Sequence, residues 1–219
     1  VEVGQDLLFD CQSYRDKRRL TDSNNKVVLM PVLYGGVSCI RDWKIYGDEV
    51  VVVDSAHNVT PTIDSDFIFF SFHPYKPVCT SDGGIISTID KEAADYFNSY
   101  RNFGRLSSDK SYDIVQEGFK FYMNNLNATL GLVSLSKYHS NLATRMKNYD
   151  FLRDNIDPKN RFLLHDKSSS FYFATVFTED SDRKMGEMEM VKLYPLLHKT
   201  KYFSQNISLK NTENLYYCF

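Results

Sequence analysis

The stretch GDEVVVVDSAHN, residues 47–58, decides the fold. Its four valines, Val50 to Val53, run without alternation and stop at Asp54. A continuous β-branched run suits a strand covered on both faces, as in a parallel sheet. Working outward, VVLMPVLYGG (Val27–Gly36) is a second apolar run closed by a Gly-Gly turn, and DFIFFSF (Asp66–Phe72) is a third. GGIIST (Gly83–Thr88) reads as a short fourth strand. Helices then take over. Asp90 is placed to cap DKEAADYFNSYRNFG, with Glu92 in the first turn and Gly104 near the stop. From Asn124 to Asn155 the residues Leu126, Leu130, Val133, Tyr138, Leu142, Met146, Tyr149 and Leu152 fall at helical spacing, and Pro158 ends the pattern. FYFATVF (Phe171–Phe177) returns to strand character, as at the start of a smaller C-terminal α+β lobe. The opening VEVGQDLLFDC alternates like a strand end and shows no starting helix or cap, while Thr178–Lys184 reads as a polar loop.

The bulk properties narrow the function. A chain of 219 residues fits one large domain, or one domain with a small appendage. Hydrophobic residues make up 42%, with 16 Phe and 15 Tyr, which is enough for a substantial core. The net charge of −2 comes without a basic block, which argues against nucleic acid as a main partner. No apolar run reaches the length of a membrane span, and no basic-then-apolar leader precedes the first strand. Cys11, Cys39, Cys79 and Cys218 form no C-x-x-C pair, so reduced, mostly buried thiols in a cytoplasmic protein are expected. The sequons at Asn58, Asn127 and Asn206 carry no weight without a signal peptide.

Chemistry concentrates at two strand ends. Asp54 closes the valine run, and Lys76 lies just past the Phe-rich strand in FSFHPYKPVCTSDGG (Phe70–Gly84). In open α/β sheets ligands sit outside the carboxyl ends of the strands, so this carboxylate and this amine face one crevice. Alone, a strand-end Asp is more often a turn or helix cap, and a lone Lys is nearly always a solvated surface residue. As a pair they suit pyridoxal phosphate. Its aldehyde condenses with a lysine, and its ring nitrogen stays protonated beside a carboxylate. A desolvated lysine gives up its proton and becomes nucleophilic. Ser71 and the local turns are placed to hold the phosphate, and His57 to contact the ring hydroxyl.

These residues resemble a known family. VVVDSAHN followed by FSFHPYKPVCTSDGG is similar to the DegT/StrS group of sugar-nucleotide aminotransferases, which have the aspartate-aminotransferase type of fold. The resemblance implies that Asp54, matching the Asp of D-A-A-H/Q, pairs with the pyridine nitrogen, and that His57 contacts the cofactor. Ser71, matching the Ser of S-F-H-x-x-K, would bind the phosphate, and Lys76, matching its Lys, would carry the cofactor. YRNFG (Tyr100–Gly104) resembles the family's L-R-N-H-G segment, and GFKFYMNNLNATLGLVSLSKY resembles G-Y-N-Y-R-M…Q-A-A-x-G-L…L. The likeness covers nearly the whole chain.

The family therefore implies an α/β fold with a mostly parallel central sheet, flanking helices and a smaller C-terminal α+β lobe. Residues 1–155 would form the cofactor-binding domain and residues 156–219 part of the small one. Departures accompany the likeness. Lys120 stands where many members have an Asn reaching the phosphate in the neighbouring subunit's site, and Tyr122 replaces the usual Arg. In the family a first helix, a phosphate turn and a ring-stacking aromatic come before the segment resembling VEVGQDLLFD, and NLYYCF breaks off where a final strand would begin. The chain thus reads as part of a longer protein or as a truncated descendant. The first expectation is an aminotransferase moving an amino group, from glutamate, to a keto-sugar nucleotide in amino-sugar or cell-surface polysaccharide biosynthesis. It would act as a homodimer. The alternative is a degenerate member that keeps the fold and binds partners without turnover. A dehydratase relative is disfavoured, because that branch replaces the lysine with histidine and Lys76 is retained.

Overall fold

The structure, a computed structural model, describes residues 10–20, 26–36, 49–59, 65–106 and 112–178, together with the short strands at 184–185, 188–189 and 216–218. Three parallel strands, β1 (Lys26–Pro31), β2 (Glu49–Asp54) and β3 (Phe67–Ser71), lie side by side in that order, and β4 (Gly84–Thr88) runs antiparallel to β3 at the edge. Pro31 sits opposite Asp54, and Asp54 opposite Phe69, so the three parallel strands end at one side of the sheet. Pro31, which has no N–H to donate, is tolerated at the end of an edge strand.

The valine run is closed on one face only. Val51 and Val53 bury against Val28, Met30, Val32 and Ile68, under Tyr14 of α1 (Cys11–Arg19). Each such side chain contributes roughly 1.5–3 kcal/mol on burial. The opposite face leaves Val27 69% and Leu29 56% exposed. Coverage of both faces, expected from the unbroken run, is therefore not found among the described residues. A run of valines reports that both faces are apolar, and not that both are covered.

Helix α1 also departs from expectation. Of the opening VEVGQDLLFDC, residues 1–9 lie outside the described residues, but Asp10 caps the helix that starts at Cys11 by accepting the Ser13 N–H at 2.6 Å. Its attachment is largely polar. The Tyr14 hydroxyl donates to Glu49, and Arg18 Nε meets the same carboxylate at 2.6 Å with both side chains largely buried. A helix held by one ring and one ion pair leaves no apolar stripe to read.

Asp90 caps α2 (Lys91–Tyr100) through the N–H groups of Glu92 and Ala93, as the sequence indicates. The helix stops at Tyr100, and Gly104 takes a positive φ of 75° four residues on. A Cβ there would strike the Gln116 carbonyl, and one at Gly118 would strike the Gly104 nitrogen. The two glycines let YRNFG and GFKFY lie backbone against backbone. The apolar pattern from Asn124 to Asn155 is two helices, α3 (Asn125–Ser136) and α4 (Tyr138–Asn155), with Lys137 between them. Helix α4 ends at Asn155, three residues ahead of Pro158.

Tyr149 and Leu152 of α4 pack with Phe162, Phe171, Ala174 and Val176. Those residues border a second sheet of β5 (Arg161–Phe162), β6 (Thr175–Phe177) and β9 (Tyr216–Cys218) in that order. Only Thr175–Phe177 of FYFATVF is strand, because Phe171 takes a φ of 48° and turns the chain first. Tyr216–Cys218 pairs with β6, so NLYYCF already contains a strand rather than stopping before one. A two-stranded ribbon joins β7 (Lys184–Met185) and β8 (Met188–Glu189). Cys79 is a free, half-buried thiol. Cys39, Asn206, the side chains of Cys11 and Cys218, and residues 179–183 of the expected polar loop lie outside the described residues. Among the described residues no helix is long and apolar enough to cross a membrane.

Candidate active site

The crevice at the ends of β1, β2 and β3 gathers Asp54, His57, Ser71 and Lys76. Asp54 is the last residue of β2, and one carboxylate oxygen accepts the Ala56 N–H at 3.0 Å. The turn-capping role that a strand-end Asp usually has is thus present, and it occupies one of the two oxygens. The chain then bends through Ser55 and Ala56 and buries His57 at 7% exposure. His57 Nδ1 accepts the Tyr34 N–H at 3.0 Å, so the ring proton of the neutral imidazole sits on Nε2. Burial and the nearby Lys76 charge lower its pKa from 6.5 to about 4. His57 is uncharged at neutral pH.

Lys76 follows β3 in a turn whose backbone N–H bonds to the His73 carbonyl at 2.9 Å. Its side chain is half-buried. Dehydration lowers its pKa below the usual lysine value, and the Asp54 carboxylate works against that shift. The amine is thus close enough to Asp54 to feel its charge without forming an ion pair shorter than 4 Å, and its own charge is felt at His57. A dehydrated amine that still has a carboxylate nearby is the form suited to attack a carbonyl carbon.

Ser71 ends β3, where its hydroxyl accepts the His73 N–H at 3.3 Å. Strand alternation puts Ser71 on the same face as Phe69, the register partner of Asp54. Phe70 and Phe72 point the other way and line a groove of about 1130 Å³ with Thr80, Ile85, Leu132 and Lys120. Lys76 thus interacts with both Asp54 and His57, Ser71 shares the sheet face of Asp54, and Lys120 lines the groove on the other side. Lys120 lies near Arg101 there, with its amine 5.7 Å from the Tyr122 ring centroid.

Several contributors were not legible in the sequence. Tyr34 supplies the N–H that fixes the His57 tautomer, from a backbone φ of 57°. Gly35, at φ 87°, accepts from Asn58 Nδ2 at 3.2 Å, Ser169 Oγ at 2.6 Å and the Ser170 N–H at 3.1 Å. The Ser170 hydroxyl donates to the His57 carbonyl, and a Cβ on Gly35 would collide with it. Tyr172 lays its ring 4.7 Å from His57. The run Ser168–Ser170 is the one visible signal for this seam, and a serine triplet reads equally well as a loop.

Comparison with known proteins gives the architecture its place. A DegT DnrJ EryC1 StrS aminotransferase from Brucella abortus superimposes with a TM-score of 0.83 at 15% identity, covering 99% of this chain and 66% of that one. The Helicobacter pylori aminotransferase PseC, involved in the biosynthesis of pseudoaminic acid, gives a TM-score of 0.80 at 18% identity, covering all of this chain and 66% of its own. At those identities the likeness establishes the fold, that of pyridoxal-phosphate-dependent aminotransferases. The profile of the DegT/DnrJ/EryC1/StrS aminotransferase family matches residues 18–217, and the chain belongs to that family. In sequence, the UDP-4-amino-4,6-dideoxy-N-acetyl-beta-L-altrosamine transaminase of Campylobacter jejuni is 26% identical over 132 residues. That match spans 60% of this chain and 32% of the relative, so the chain corresponds to only part of such a protein.

Proposed function

We propose that this chain carries the lysine-bearing part of a pyridoxal-phosphate-dependent aminotransferase that moves an amino group to a keto-sugar nucleotide. The observation that carries the reading is the half-buried Lys76 amine, its pKa lowered by burial, facing Asp54 and the neutral His57 at the strand ends. The set fits pyridoxal phosphate at its ring and aldehyde end, and the Ser71 hydroxyl on the Asp54 face suits its phosphate. When bound, the cofactor supplies an aldehyde that condenses with an amine, releasing water, and a ring that stores an electron pair.

The chain's own residues have distinct tasks. The Asp54 carboxylate keeps a ring nitrogen protonated. His57 offers Nε2–H to a hydroxyl oxygen, since its Nδ1 is already engaged. Lys76 would hold the cofactor through its amine and, once released, would serve as the base that takes up and returns a proton at the substrate carbon. Lys120, set apart from these four, is assigned to the phosphate of a neighbouring subunit's site in a homodimer. The exposed apolar surface of α3 supports that assembly, with Leu126 and Leu132 at 80% and 70% exposure. A nucleotide sugar as acceptor is supported by the name of the related transaminase, and glutamate is the donor assigned in this reading. The reading divides the chain at residues 155 and 156, between the four-stranded sheet with its helices and the three-stranded sheet. The assigned compartment is the cytoplasm, since a charged nucleotide sugar does not cross a bilayer unaided and must be met where it is made.

The test is borohydride reduction of the intact protein loaded with pyridoxal phosphate, followed by peptide mapping. The label is expected on Lys76, and Lys76→Ala is expected to abolish both labelling and transamination from glutamate. Label on another lysine would overturn the assignment.

A further inference from the structure

The sequence Phe171-Tyr172-Phe173 sends three consecutive rings to three places. Phe171 enters the α4 cluster, its ring 5.1 Å from Tyr149, and Phe173 meets Tyr34 edge-on at 6.0 Å. Phe173 also meets the His57 ring edge-on at 6.1 Å, while Tyr172 lies against both His57 and the Lys76 amine. Its ring lies 4.7 Å from the His57 imidazole, tilted by 33°, and the Lys76 Nζ stands over it at 5.2 Å from the centroid. The φ of 48° at Phe171 makes this divergence possible, in a region that costs a bulky residue strain and persists only where the surroundings enforce it. They do so here through the bonds from Ser169 and Ser170 to the Gly35 and His57 carbonyls, just ahead of the turn.

A lysine side chain carries about 2 kcal/mol of rotamer entropy, so an amine that must meet one carbonyl carbon gains from a surface that narrows its choices. A ring face within about 6 Å attracts the ammonium and presents the stem with an apolar wall. We propose that Tyr172 is a positioning residue for Lys76: its ring face holds the amine over the crevice, beside Asp54 and His57, in the orientation from which it bonds a carbonyl carbon. The proposal rests on the reading of Lys76 as the cofactor-carrying amine. Among the described residues, the charged and titratable groups facing that amine and its ring are Asp54 from the end of β2, His57 from the loop after it, Tyr172 itself, and Arg145 of α4, which interacts with Tyr172.

The ring, and not the hydroxyl, is the active feature, so Tyr172→Phe and Tyr172→Leu separate the two. Leucine keeps the apolar bulk and removes the π face. Two quantities are read on the intact protein. The first is the titration midpoint of Lys76 in the cofactor-free form, from competitive acetylation with peptide mass spectrometry. The second is the rate constant with which the free Lys76 amine attaches pyridoxal phosphate, taken from the pH profile and trapped with borohydride. Tyr172→Phe is expected to match the parent within about twofold. Tyr172→Leu is expected to lower the midpoint by roughly half a pH unit and to slow attachment about fivefold. Tyr172→Met serves the same purpose if the leucine variant does not fold. A parental midpoint and rate in the leucine or methionine variant would overturn the role of Tyr172, as would a phenylalanine variant impaired to the same degree as leucine. Attachment to a different lysine in every variant would overturn the functional reading first, and the role of Tyr172 with it.

Discussion

Helices α3 and α4 are neighbours in sequence, separated by one residue, and both carry leucines at helical spacing. Their fates differ. Helix α4 buries Tyr138, Tyr149 and Leu152 against the rest of the chain, while α3 buries none of its residues. Helix α3 leaves Leu126, Leu130, Leu132, Val133 and Leu135 exposed, and Leu132 and Leu135 line the groove. An apolar period therefore announces that a surface will be covered, without saying by what. Among the described residues, helix α4 closes part of its apolar surface within the chain, and α3 leaves its own exposed.

The largest effect expected from this contrast comes from Leu152, 9% exposed in the α4 cluster. Leu152→Ala should lower unfolding stability by about 2–4 kcal/mol, read as a shift in denaturant midpoint at constant slope. A loss below about 1 kcal/mol would mean that the cluster is not the closed core described.

An acid titration probes the polar side of the same closed region. His57 has a folded pKa of about 4 against 6.5 when solvated, so the unfolded chain takes up a proton that the folded chain refuses. Its contribution is complete above pH 6.5 and is lost as pH falls from there toward 4, by roughly 2–3 kcal/mol. His57→Gln keeps an acceptor for the Tyr34 N–H and cannot titrate. The stability gap between parent and variant should narrow over that window in the cofactor-free protein. A constant gap from pH 7 to pH 4.5 would show that His57 is not held neutral.

The smallest intrachain effect is expected on α3. Leu132→Ala should change the stability of the dissociated chain by less than about 0.5 kcal/mol, yet weaken self-association measured by sedimentation. An equal loss in both measurements would erase the contrast between the two helices.

The parts of the fold legible in the sequence are those whose signal is local. Asp90 caps a helix, Val50–Val53 makes a strand, and Asp54 and Lys76 stand where the strand ends put them. Helix α1 was hidden because its hold on the sheet is an ion pair between residues 31 apart. The break at Lys137 leaves only one trace, the five-residue step from Val133 to Tyr138 between runs of three- and four-residue steps. Of the candidate site, the motif positions were legible and their supports were not. Gly35, Tyr34, Ser170 and Tyr172 act through positive φ values and contacts over more than twenty residues, and neither leaves a periodic trace.

The seam at Gly35 bears on the order in which the molecule can be made. Ser169 reaches the Gly35 carbonyl across 134 residues, and Ser170 reaches His57 across 113. Synthesis delivers β1, β2 and β3 well ahead of the serines that close the seam. The loops at their ends must wait for the last third of the chain before their carbonyls find donors. Contacts of such long range close slowly, because the intervening chain must first be confined. During translation the sheet therefore precedes its own crevice, and the nascent protein passes through a stage with a formed scaffold and an unfinished reactive centre.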